Sequence, residues 1–203
     1  MSQAKVTLSP EEQELVANTE WILTKNRVIQ KVYDLFGAVA AAYQQAIQAQ
    51  VLFEHEPVLT RSPKISKGEQ YEGLPWVMLD YPRHYLTSDS LGIRTFFWWG
   101  NGFSITLQLS GKYLHQYAHG IQQYLSDNNI AAGWLIGVGT DPWQHHFRED
   151  NYLHYANRST QSLADLSFIK LTKRFSLGQW DNMETLLENT FREILLMLAA
   201  AEN

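Results

Sequence analysis

From Phe103 the chain alternates for eight residues. Phe103, Ile105, Leu107 and Leu109 are apolar, and Ser104, Thr106, Gln108 and Ser110 are polar. A period of two belongs to a strand with one face on a core, because successive strand side chains point to opposite sides. The preceding run, residues 93–99, is rich in aromatic and β-branched residues, and Gly100-Asn101-Gly102 separates the two runs. The spacing predicts a hairpin. Loop length then decides which side of the first strand is buried, since a one-residue slip turns it over. A three-residue loop with Gly102 left-handed puts Ile93, Phe97 and Trp99 on the core side. Arg94, Phe96 and Trp98 then join Ser104, Thr106 and Gln108. A two-residue Asn101-Gly102 turn gives the reverse. The three-residue loop is preferred because it keeps Arg94 off the apolar face.

Other segments add to this sheet. Residues 74–81 are apolar on both pleat faces, as in a covered interior strand. Residues 134–138 form another apolar run. Residues 168–175 read as an edge strand with Lys170, Thr172 and Arg174 turned outward. Between 54 and 73, Pro57, Pro63, Gly68 and Gly73 interrupt any pattern and predict a long loop, with at most a short strand over 64–67. Asp141-Pro142 predicts a short helical turn.

Three helices flank these strands. Ser9-Pro10-Glu11-Glu12 is a helix start, with Ser9 as cap and Pro10 at the first helical position. Ile22, Ile29, Tyr33, Phe36, Ala40, Tyr43 and Ile47 follow at helical spacing, as one rod or as two helices broken near Thr24 to Asn26. Residues 111–126 carry Leu114, Tyr117, Ala118, Ile121 and Leu125 on one face. A last helix begins near Asp181, with capping-box spacing to Glu184, and carries Met183, Leu187, Phe191, Ile194 and Leu198. The expected fold is α+β in a single domain over 1–203: an antiparallel or mixed sheet of about five strands packed against long N- and C-terminal helices.

Composition removes several function classes. The 203 residues contain no Cys, which excludes a thiolate nucleophile, a disulfide framework and Cys-based metal sites. Net charge is −5, and the basic residues are scattered apart from Lys170, Lys173 and Arg174, which argues against nucleic acid. Residues 1–15 lack a signal-peptide apolar core, and no stretch approaches the ~18 apolar residues of a membrane span. A cytoplasmic chain without membrane contact is expected.

Candidate sites fall into three groups. His115 and His119 stand four apart on the 111–126 helix, a spacing that metalloproteins use, although Gln116 replaces the Glu of the zinc-protease motif. His145, His146, Glu149, Asp150 and His154 could add nitrogen and carboxylate ligands for zinc, iron or manganese. His115 and His119 equally suit the rim of a core helix. Gly137-Val138-Gly139-Thr140-Asp141-Pro142 resembles a phosphate loop but lacks the third Gly and the Gly-Lys, and Asp141 would repel an anion, so a tight turn explains it better. Asp80-Tyr81-Pro82-Arg83-His84 ends an apolar strand in polar groups. Asp80, Arg83, Arg94 and Trp98 together could line a cleft for a small anionic or peptidic ligand. The competing reading is an ion pair between Asp80 and Arg83 or Arg94.

Leu74-Pro75-Trp76-Val77-Met78-Leu79-Asp80-Tyr81-Pro82-Arg83 and Phe97-Trp98-Trp99-Gly100-Asn101-Gly102-Phe103, with Phe168-Ile169-Lys170-Leu171 and Trp180-Asp181, resemble an uncharacterised family of bacterial proteins. The resemblance spans most of the chain and implies a stand-alone bacterial domain; it supplies neither catalytic residues nor a cofactor. Three function classes stay open: a non-catalytic binding domain, a homodimeric scaffold joined through its N-terminal helix, and a metal-dependent enzyme using the His clusters.

Overall fold

The computed structural model describes residues 6–49, 57–127, 130–158 and 161–201. Four α-helices are present among them: α1 (Pro10–Ala17), α2 (Thr19–Gln48), α3 (Lys112–Asp127) and α4 (Met183–Ala199). Seven strands form one sheet: β1 (Lys64–Tyr71), β2 (Leu74–Tyr85), β3 (Ser90–Trp98), β4 (Gly102–Ser110), β5 (Leu135–Gly137), β6 (Tyr152–His154) and β7 (Phe168–Phe175). Their order is β1-β2-β3-β4-β7-β5-β6, and every pairing is antiparallel. The α+β class with an antiparallel sheet holds, with seven strands instead of five.

The alternation that predicted β4 is what divides the sheet into two faces. Ile93 pairs with Leu107, Thr95 with Ile105 and Phe97 with Phe103 on one face. This face joins the buried sides of α2, α3 and α4 in one core. Tyr43 of α2 lies there, its ring stacked on Phe191 at 3.7 Å and its hydroxyl 3.0 Å from that of Thr95, which satisfies the one polar group in the row. Phe191 and Ile194 are fully buried, so α4 docks by the stripe its sequence shows. Burying such a side chain contributes about 1.5–3 kcal/mol.

The hairpin turns over Trp99-Gly100-Asn101, one residue earlier than expected, and Gly102 has φ +96° while already pairing with Trp98. The loop still has three residues. Arg94 therefore lies opposite Thr106 and Phe96 opposite Ser104, on the expected face.

Four expectations are corrected. The 54–73 segment is not a long loop from Lys64 onward: β1 occupies Lys64–Tyr71 and turns into β2 through Glu72 and Gly73, both at positive φ; residues 50–56 lie outside the described residues. The final strand is interior, because β5 pairs with its outer side, and Lys170 and Thr172 are at most 1 % exposed. The first helix breaks at Asn18, whose side chain accepts from Trp21 N at 3.2 Å, so Ile22 falls on an exposed stretch. The cap before α4 is Ser176 with Gln179, opening the 3₁₀ segment Leu177–Asn182, and Asp181 with Glu184 does not form it.

Candidate binding cleft on the outer face of the sheet

The outer face carries Trp76, Met78 and Asp80 of β2, Arg94, Phe96 and Trp98 of β3, Thr106 and Gln108 of β4, and Lys170 and Thr172 of β7. No helix covers it. The β5–β6 connection, residues 138–151, folds back over it instead. Polar groups hold it there. Tyr71 Oη accepts from the backbone N–H of His145 at 2.7 Å and of His146 at 3.0 Å. Asn151, fully buried, donates to His146 O at 2.6 Å and accepts from Lys170 Nζ at 3.3 Å. Lys170 Nζ also donates to Gln144 O. The connection is thus tied to β1 on one side and to β7 on the other.

Under this cover Arg94 meets Asp80 in a two-point ion pair, Nε to Oδ1 at 2.7 Å and Nη2 to Oδ2 at 3.2 Å. Each side chain is 11 % exposed. Tyr85 Oη donates to Asp80 Oδ1 at 3.3 Å. The phenol reaches Asp80 because β2 carries an extra residue between Asp80 and Arg83. That bulge reverses the alternation and brings Tyr85 to the outer face, over Gly92, where a Cβ would stand 2.2 Å from the hydroxyl. Burial, then the Asp80 charge, pushes the Tyr85 phenol up beyond its ordinary range.

The remaining Arg94 nitrogen, Nη1, lies 3.1 Å from His145 Nε2. A guanidinium only donates, so Nε2 is the acceptor and the ring proton sits on Nδ1. Burial, with Arg94 and Lys170 adding repulsion, drives His145 down to about 3, and the imidazole is neutral at physiological pH. Burial likewise lowers Lys170 to about 8, against the counteracting charge of Asp141.

His145 also walls a cleft of about 390 Å³ lined by Tyr71, Trp76, Met78, Phe96 and Trp143. Its ring centre is 4.9 Å from that of Phe96 and 5.7 Å from that of Tyr71. Residues 68–71, at the end of the edge strand β1, form one rim. A hollow of about 500 Å³ at the β5–β6 end includes Gly137, Val138, Gly139 and Thr140, but its one cation, Arg158, is engaged by Gln161 O at 2.7 Å. The aromatic cleft is the better candidate because polar and planar groups converge there.

The structure brings Asp80 and Arg94 together but scatters the other ligand candidates. Trp98 is buried and donates to Tyr71 O at 3.2 Å. Arg83 turns away and donates to Ser62 O at 2.8 Å. The metal candidates are dispersed as well. His115, His119 and Glu149 are exposed, His145 is held by Arg94, and His146 is buried with Nε2 on Gln144. Among the described residues no three His, Asp or Glu side chains converge. Sequence reasoning missed Tyr71, Tyr85, Trp76 and Trp143. A signal existed for Tyr85: Pro82 cannot donate to a ladder, and a Pro inside a strand marks a bulge.

No helix of the described residues is long and apolar enough to cross a membrane. No protein-family model, curated protein or solved structure matches the chain.

Proposed function

We propose that this chain is a non-catalytic binding domain whose outer-face cleft takes a planar or apolar side chain of a peptidic ligand. One observation carries the reading. His145, kept neutral by burial and by the adjacent Arg94 charge, stands among Tyr71, Trp76, Phe96 and Trp143 with its proton on the nitrogen turned away from Arg94. Such a wall offers stacking surface and one directed donor. The Arg94 charge is spent on Asp80, so an anionic group would have to displace a two-point ion pair, whereas an uncharged ring displaces nothing. The β1 edge beside the cleft supports a peptide over a free aromatic compound: an edge strand presents unpaired backbone groups, and extended peptides add to such edges.

The test is titration with short peptides containing Phe, Tyr or Trp, each with an Ala-substituted control, read by the Met78 methyl resonance and by tryptophan fluorescence. Aromatic peptides should shift both signals, and Trp76→Ala should weaken binding about tenfold with the fold intact, about the worth of one aromatic contact. A Met78 resonance unmoved by every aromatic peptide at millimolar concentration rejects the proposal.

A further inference from the structure

The N-terminal elbow is separate from the cleft. Helix α1 buries no residue, and α2 packs on the body only beyond about its first turns. Leu15, Val16, Trp21, Ile22 and Leu23 surround the joint at Asn18 and are each 46–71 % exposed. They form a concave apolar surface of about 550 Å³ with Asn18 and Thr19. The joint is well built: Ser9 and Glu12 cap each other at the start of α1, and Asn18 caps α2. A structured helix with its apolar residues in water calls for a cover.

Charge identifies the cover. Residues 9–20 hold Glu11, Glu12, Glu14 and Glu20 and no Lys or Arg; residues 24–31 hold Lys25, Arg27 and Lys31 and no Asp or Glu. Two copies crossing antiparallel about a two-fold axis at Trp21–Leu23 set the acidic stretch of each against the basic stretch of the other. Glu14 and Lys31, eight and nine residues from Ile22 at that axis, are exposed and form no ion pair among the described residues. Among the described residues the ion pairs formed there are Glu20 with Arg27 and Lys25 with Glu69. Leu8, about half exposed, adds a further apolar side chain near the start of the segment. A lipid surface fits worse, because the four Glu beside the apolar patch repel anionic headgroups. A C2 interface requires one patch that complements itself, and this segment does so in both hydrophobicity and charge.

We infer that the elbow formed by α1 and the start of α2 binds a second copy of this chain. The test is the mass of the full chain by sedimentation equilibrium over a wide concentration range. The expected result is a dimer that Ile22→Glu converts to monomer with the circular dichroism melt of the body unchanged. Glu14→Lys should weaken association several-fold, and adding Lys31→Glu should restore it, which guards against Ile22→Glu acting through misfolding. A monomer at all concentrations overturns the inference, as does a dimer indifferent to both Ile22→Glu and the charge reversal. Flotation with anionic vesicles by a chain that stays monomeric overturns it in favour of a lipid partner.

Discussion

Arg94 and Asp80 face each other across β3 and β2 at paired positions, and the guanidinium reaches both carboxylate oxygens, at 2.7 and 3.2 Å. The pair is nearly closed to water, so neither partner tolerates loss of the other. Tyr85 and His145 complete the shell, one donating to the carboxylate and the other accepting from the guanidinium. Of the two readings the sequence offered for Arg94, a ligand group or a partner of Asp80, the structure forms the second, and the paired arginine supports the imidazole that walls the cleft.

Removing Arg94 therefore destabilises. Arg94→Ala strands a buried carboxylate and should cost about 3–5 kcal/mol in denaturant unfolding. The double variant Arg94→Met with Asp80→Leu should cost less than the single one, because no charge is left unpaired. An Arg94→Ala protein as stable as the parent would contradict a closed ion pair.

His145 sets an acid limit. Its folded value of about 3 lies below the ordinary 6.5, so the unfolded chain binds more protons between those values. Stability from this group is complete above about pH 6.5 and falls as pH drops toward 3. Unfolding midpoints at pH 7 and pH 5 should differ less in His145→Gln than in the parent. Nitrogen NMR should show an uncharged His145 ring, protonated at Nδ1, at pH 5.

Asn151 holds the cover. It ties the connection to Lys170 and to the His146 carbonyl. Asn151→Ala removes the donor to the His146 carbonyl and leaves Lys170 Nζ with only its bond to Gln144 O, and should cost about 1–3 kcal/mol. Amide exchange should accelerate over 138–151 more than in β2–β4. Uniform acceleration would mean that the connection opens only with the whole domain.

The helix layer is tested at Phe191. Phe191 is fully buried and stacked on Tyr43. Phe191→Ala should cost about 3–5 kcal/mol. An unmoved melting temperature would mean that α4 is not docked on the sheet.

The sequence by itself determined the period of each long element. The alternation of 103–110 and the spacing of Leu187, Phe191, Ile194 and Leu198 are local regularities, and each names its buried face without reference to any other segment. The loop length around Gly100 likewise assigned Arg94 to the outer face, and that face survived a one-residue shift of the turn because the loop kept three residues. Strand order lay beyond such reasoning. Lys170 and Thr172 look like part of an exposed edge until β5 pairs beside them and the 138–151 connection folds over them, while Arg174 stays exposed as its sequence suggests. The cleft depended on the same long-range events. Tyr71, Trp76, Phe96, Trp143 and His145 come from three strands and a connection, and nothing in the spacing of one predicts the others. Only the tertiary structure spent the Arg94 charge on Asp80, because an ion pair depends on which strands become neighbours, and that is settled by burial of the whole chain at once.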